Sequence, residues 1–293
     1  MRRHVLALII VMVVVQFAAC TTKTVKVDGF SSPESVTSDG TYFYVSNVGE
    51  KLNPTDRDGD GYISKLTAEG SVVERRYVTG LNAPKGMAVQ DGILYVADID
   101  RIKGFDLSDG KKVFELDFSA DGTSFLNDIA VYADKQLLVS ATDTGNVYLV
   151  NTGENPSFSK LESDMDLFGP NGIAVDQENG DVYIASFGKD HKPNGFVSKG
   201  RIVAGKIKGE KVFFKDGFYD GIALHDGKVI VSDWIEFKKS GVLIQVDPKN
   251  GKSSTLELEE KIGGPADFYL DAKGKRLWIP MMLENKLLIV GLK

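Results

Sequence analysis

The chain has 293 residues, 42% of them hydrophobic, which is enough apolar side chain for one large core or two small ones. Its formal net charge is −6 and no basic block stands out, which argues against nucleic acid as a partner. Thirty-one glycines and few stretches of helical period favour an all-β fold rich in turns, and a single cysteine excludes any disulfide within the chain.

The N-terminus is read apart from the fold. "MRRH" supplies a positive start and "VLALIIVMVVVQF" an apolar run, short of the roughly 20 residues that a spanning helix needs. The following "FAAC" resembles the lipobox of bacterial lipoproteins, where cleavage before the cysteine is followed by lipidation of its sulfur. Residues 1–19 are therefore expected to be a lipoprotein signal peptide, Cys20 the lipidated residue, and 20–293 one exported domain. That domain would be held to a membrane of the bacterial cell envelope by its lipid, on the periplasmic or cell-surface side. An ordinary signal peptide with a chance cysteine is the alternative.

Next in the chain, "KTVKVDGF" holds a strand-like segment around Lys23–Val27 that has no blade of its own. From Pro33 onward one phrase then recurs six times, at intervals of 42 to 51 residues, the spacing of propeller blades. The copies are "PESVTSDGTYFYVSN" from Pro33, "PKGMAVQDGILYVAD" from Pro84, "LNDIAVYADKQLLVSA" from Leu126, "PNGIAVDQENGDVYIAS" from Pro170, "YDGIALHDGKVIVSD" from Tyr219 and "PADFYLDAKGKRLWIP" from Pro265. Each copy predicts a strand, a turn rich in Gly, Asp or Lys, and a second strand of β-branched and aromatic residues. Third strands follow, among them "GYISKL", "GRIVAGKI" and "NKLLIVGL", and fourth strands are visible as "VVERRYV", "KVFELDF", "KVFFKDG" and "SSTLELE". The expected fold is an all-β, six-bladed β-propeller of four-stranded blades. The last copy ends after its third strand, so the N-terminal strand is expected to complete the sixth blade and remove an exposed edge.

Two loops of this series are unusual. In blade one, "DRDGDGYIS" places Asp56, Asp58 and Asp60 before Gly61, the opening of a calcium loop. Thr67 stands where an EF-hand carries its glutamate, so the alternatives are a shorter calcium loop and a solvated acidic turn. In blade four, "FGKDHKPNGFVSKG" is also long and carries His191, a conceivable proton shuttle, although such a histidine is more often merely a surface residue. Both loops are expected on the rim where the innermost strands begin, walling an entrance to the central channel. Asp98, Asp233 and Trp234 end second strands near the same rim and are expected to orient or line the pocket.

The innermost strand of each blade lines the channel, and the residue that varies most between copies stands at its start. In order these residues are Glu34, Lys85, Asn127, Asn171, Asp220 and Ala266. Carboxylate and amide oxygens are the donors that a hard cation such as Ca²⁺ prefers, and the set contains no thiol or imidazole. A wet channel favours polar side chains as well, and Lys85 is able to neutralise Glu34 or Asp220 with no metal at all.

Glu in the first blade with Asn, Asn and Asp in the third, fourth and fifth, within "PESV", "LNDI", "PNGI" and "YDGI", resembles the SMP-30/gluconolactonase family. It is also similar to the related diisopropylfluorophosphatase and paraoxonase propellers. The resemblance covers nearly the whole mature chain. It implies a catalytic divalent cation, usually Ca²⁺, held by Glu34, Asn171 and Asp220, with Asn127 a ligand or a substrate contact. It further implies a metal-dependent hydrolase acting on a lactone or related ester; Asp220 is then expected as a catalytic group, with Lys85 a second candidate that the resemblance does not supply. Lys85 departs from the pattern and would bind an anionic substrate group or the leaving alkoxide. A non-catalytic propeller that binds a small ligand or a protein at the envelope is the rival reading, since this fold hosts many unrelated functions.

Overall fold

The structure is a computed structural model that describes residues 24–292. The expected signal peptide and Cys20 lie outside the described residues. Among the described residues, no helix is long and apolar enough to cross a membrane.

The strands group into four-stranded antiparallel meanders, and the sequence repeat dictates where each begins. Blade one runs Pro33–Ser38, Tyr42–Asn47, Gly61–Thr67 and Val72–Leu81. Blade two starts at Pro84–Gln90, blade three at Leu126–Ala133, blade four at Pro170–Asp176 and blade five at Tyr219–His225. Blades three and four share one eight-stranded sheet, because their outer strands meet in a short parallel pairing, Glu162 with Lys206 and Ser163 with Ile207. Blade six is the least regular: its inner strand is only Tyr269–Asp271, preceded by isolated bridges at Pro265 and Asp267.

The ring closes as the sequence suggests. Val25–Asp28 pairs antiparallel with the last strand, Lys286–Gly291, from Val25 opposite Ile289 to Asp28 opposite Lys286. Inside, the Asp267 N–H donates to the Glu34 carbonyl at 2.9 Å, and the Val36 N–H donates to the Asp267 carbonyl at 3.3 Å. Between those two contacts Phe43 stacks flat on Trp278, with ring centroids 3.8 Å apart, so the seam between blades six and one is packed aromatic surface. Similar apolar clusters fill the other seams, and they hold the inner strands at fixed separation around the axis.

One strand expectation is corrected. The third strand of blade four was expected through "GRIVAGKI", but Val197–Val203 and Lys206–Phe213 are two strands joined by a hairpin turn at Ala204 and Gly205. Both residues have positive φ, 50° and 76°, the geometry of a two-residue type I′ turn. Alanine in place of the usual Asn or Asp hides that turn in the sequence. Blade three's outer strand, Ser157–Ser163, also carries too little apolar pattern to be read in advance.

Candidate functional site: a ring of buried oxygens

The site is made by one irregularity repeated around the ring. Where the first two strands of a blade pair, the register slips between Pro33 and Val36, Pro84 and Met87, Leu126 and Ile129, Pro170 and Ile173, and Tyr219 and Ile222. Each slip is a β-bulge, a device that re-aims side chains. The bulged pairs are Glu34-Ser35, Lys85-Gly86, Asn127-Asp128, Asn171-Gly172 and Asp220-Gly221. The first member of every pair lines a single cavity of about 790 Å³. Ala266, at the sixth position, is fully buried and adds no polar group.

Glycine at the second position lets adjacent inner strands approach. A Cβ on Gly172 would lie 2.3 Å from the Asp220 carbonyl oxygen, and one on Gly221 would lie 2.7 Å from the Phe268 nitrogen. Where the second residue is not glycine, it stitches neighbouring blades. Asp128 accepts the Ile173 N–H at 2.6 Å and the Ile129 N–H at 2.7 Å, and Asp267 accepts the Ser35 hydroxyl. Neither Asp128 nor Asp267 was anticipated. The clue was present one place beyond the variable residue, in "LNDI" and "PADF".

Glu34, Asp128, Asp220 and Asp267 are buried carboxylates near the heads of the inner strands, and Lys85 is a buried ammonium at the same level of blade two. Burial, and then the Asp220 charge, pushes the Glu34 carboxyl well above the usual range. Burial raises Asp267 likewise, followed by the charge of Asp128. Asp220 is pushed up to about 7 and Asp128 to about 6, again chiefly by burial. Burial lowers Lys85 to about 8, with Glu34 opposing the shift. The Lys85 Nζ donates to the Ala83 carbonyl at 2.9 Å and lies 4.8 Å from the centre of the Phe125 ring. Among the described residues, Lys85 forms no ion pair within 4.0 Å, so the carboxylates are not neutralised by direct contact with it.

The decisive feature is what these side chains lack. Glu34 Oε2, Asn127 Oδ1, Asn171 Oδ1 and Asp220 Oδ1 are all buried without a hydrogen-bond partner. Buried polar atoms are ordinarily paired, and each orphan costs about 1–3 kcal/mol. All four lie on one cavity wall, one from each of four blades. The remaining polar groups of two of these side chains are occupied: Trp234 Nε1 donates to Asp220 Oδ2 at 2.9 Å, and Asn127 Nδ2 donates to the Thr142 hydroxyl at 3.0 Å. Two carboxylates and two amide oxygens suit a hard divalent cation such as Ca²⁺.

Other expected residues fall differently. Asp98 accepts the Asn82 and Ala83 N–H groups and pairs with Lys103 at 2.7 Å, fixing the turn that enters the inner strand at Lys85. Asp233 accepts the Phe218 and Ile235 N–H groups at 3.1 and 2.9 Å, doing the same before Asp220. Both are positioning residues, and of the three only Trp234 touches the oxygen ring. The blade-one and blade-four loops do wall the cavity, through Leu52 and Pro54 on one side and Phe187, Lys189 and His191 on another.

The acidic loop does not gather its carboxylates. Among the described residues no group of three or more His, Cys, Asp or Glu is placed to share an ion. Asp56 accepts the Arg57 N–H, Asp58 accepts the Asp60 N–H, and Asp60 accepts the Glu50 N–H at 2.9 Å. Arg57 reaches across to Asp100 with a two-pronged contact of 3.2 and 2.7 Å, which ties the loop to blade two. Alternating acids here serve turn geometry, a role that the spacing alone does not distinguish from ion binding.

No protein-family model matches the chain, and no curated protein matches it in sequence. Solved structures do match in shape. A catalytically inactive virginiamycin B lyase from Staphylococcus aureus, in complex with quinupristin, is 16% identical with a TM-score of 0.59, over 93% of this chain and 100% of that one. The likeness is one of fold. A luciferin-regenerating enzyme gives 12% identity and a TM-score of 0.64, over 92% of this chain and 95% of that one. The WD40 repeats of RRP9 give 12% identity and a TM-score of 0.57, over 89% and 79%. This ring is shared by propellers with different names and roles, so the chemistry must be argued from the site.

Proposed function

We infer that the protein is a divalent-cation-dependent hydrolase of the SMP-30/gluconolactonase type, with Ca²⁺ the best-suited ion and a lactone or related ester the substrate. The observation that carries this reading is the set of four partnerless oxygens on Glu34, Asn127, Asn171 and Asp220. They would hold the ion, which when bound polarises a carbonyl and stabilises the charge that develops on its oxygen.

The chain's own groups supply the rest. Trp234 fixes Asp220 through one carboxylate oxygen and leaves the other turned to the cavity, where it is able to orient or deprotonate an attacking water. Lys85 is held by the Ala83 carbonyl within a desolvated wall, so that its ammonium is available to a leaving alkoxide. The surrounding aromatic side chains exclude bulk water and thereby strengthen each of these interactions. Attachment to the cell envelope through Cys20 belongs to the same proposal and would place the substrate outside the cytoplasm.

The test is metal binding followed by turnover. Calorimetric titration with Ca²⁺ should show one tight site that is lost in Asp220→Ala. A lactone panel should then show Ca²⁺-dependent hydrolysis that chelation removes. Absence of any divalent-ion binding would end this reading, whereas ion binding without turnover would leave a ligand-binding propeller.

A further inference from the structure

The cavity is two-sided in its chemistry. Phe187, Phe218, Trp234 and Phe237 form one continuous wall, with Phe187 and Phe218 ring centres 5.3 Å apart, Phe218 and Phe237 5.4 Å, and Trp234 and Phe237 5.3 Å. Phe218 and Trp234 are buried, but Phe237 is 61% exposed at the mouth. Its loop is held out at a cost. Two residues before it, the β-branched Ile235 adopts φ 59°, a conformation that such residues rarely accept. Asp233 and Phe218 hold that turn in place, as the Ile235 N–H donates to Asp233 and the Trp234 N–H donates to the Phe218 carbonyl.

This wall offers a hydroxylated ligand nothing. The single N–H among its four side chains, Trp234 Nε1, is already spent on Asp220. A sugar lactone lying here would bury hydroxyls without partners, a costly arrangement. An apolar group would instead cover the exposed Phe237 ring and complete the aromatic cluster. Because Trp234 belongs both to the wall and to the oxygen ring, an apolar group on the wall lies directly beside Asp220.

We propose that the natural substrate is an uncharged lactone or ester bearing an aromatic or bulky apolar group, seated on Phe187, Phe218, Trp234 and Phe237 with its carbonyl toward Glu34 and Asp220. The inference rests on the hydrolase reading for the position of the carbonyl, but the apolar subsite is tested independently of turnover. The probes are 2-coumaranone, an aromatic lactone; δ-valerolactone, the bare ring; D-glucono-1,5-lactone; and 2-indanone, a ketone of the same shape as the first that cannot be hydrolysed.

With Ca²⁺ present, kcat/KM for 2-coumaranone should exceed that for the gluconolactone by about tenfold or more. Phe237→Ala should cut the ratio of 2-coumaranone to δ-valerolactone by about tenfold, mainly through KM, and Phe237→Leu should restore part of it. In parallel, 2-indanone should quench Trp234 fluorescence, bind about tenfold more weakly to Phe237→Ala and ignore the gluconolactone as a competitor. The proposal is overturned if the gluconolactone is the preferred substrate or competes with 2-indanone, or if Phe237→Ala and Phe187→Ala both leave 2-indanone binding unchanged. If no lactone is hydrolysed, the hydrolase reading falls and the 2-indanone titration alone decides the apolar subsite.

Discussion

Trp234 donates its indole N–H to Asp220 Oδ2 at 2.9 Å, while Oδ1 of the same carboxylate is buried without a partner. One oxygen is thus anchored and the other aimed. A hydrogen bond of this kind orients the carboxylate and favours its charged form, which is the form that binds a cation.

Trp234→Phe keeps the aromatic wall and removes only this anchor. Ca²⁺ affinity should fall about tenfold, in the range typical for loss of a side chain that orients a ligand. Calorimetry is the appropriate measurement, and unchanged affinity would mean that Asp220 is positioned by packing alone.

The pH dependence of the metal-free protein has a definite sign. Glu34, Asp128, Asp220 and Asp267 all have carboxyls raised by burial, Asp128 to about 6 and Asp220 to about 7. Between the unfolded-state value of about 4 and these values, the native state binds more protons than the unfolded chain, so stability falls as pH rises. The contribution is fully present below about pH 4 and is lost once pH passes about 7 for Asp220. In EDTA the Tm should therefore drop between pH 5 and pH 8. Millimolar Ca²⁺ should raise it at pH 8 and do little at pH 5, where protonated carboxylates bind poorly. A Tm that climbs with pH in EDTA would contradict the electrostatics described for the channel.

Under the proposed hydrolase reading, a change at Lys85 would separate ion binding from catalysis. Its ammonium repels a neighbouring cation, so Lys85→Met should tighten Ca²⁺ binding by about tenfold, equivalent to ~1.4 kcal/mol, while hydrolysis of any substrate falls by at least as much. Tighter binding with full activity would remove Lys85 from the chemistry. Weaker binding would show that it organises the site instead.

Gly172 tests the close approach of the inner strands. Its Cβ position lies 2.3 Å from the Asp220 carbonyl oxygen, a backbone atom with no freedom to move aside. Gly172→Ala should cost about 1–3 kcal/mol of stability and lower Ca²⁺ affinity, because relief of the clash pushes Asn171 and Asp220 apart. Denaturant unfolding with and without Ca²⁺ reads both effects.

Much of this arrangement was legible in the residues. The recurring phrase announced four-stranded blades, and the strand without a home, found at Val25–Asp28, announced how the ring closes. Glu34, Asn127, Asn171 and Asp220 stood out because they varied where everything around them repeated. Less visible was the turn at Ala204–Gly205, whose alanine lacks the usual chemistry for positive φ. Asp128 and Asp267 were hidden for another reason. They stand one place beyond the variable residue, line a separate and smaller cavity, and serve contacts between inner strands that no repeat of residue type announces.

Periodicity and turn chemistry are local, so the sequence by itself determined the blades, their order and the residue types at the head of each inner strand. Whether four oxygens from four blades end up partnerless on one cavity, and whether three acids in one loop converge, depends on distances between segments far apart in the chain. The tertiary structure alone decided those, answering yes for the inner strands and no for Asp56, Asp58 and Asp60. The physical reason is that a carboxylate takes the nearest N–H available. In the acidic loop a backbone N–H reaches each of the three acids, whereas in the channel one oxygen each of Glu34, Asn127, Asn171 and Asp220 finds no donor.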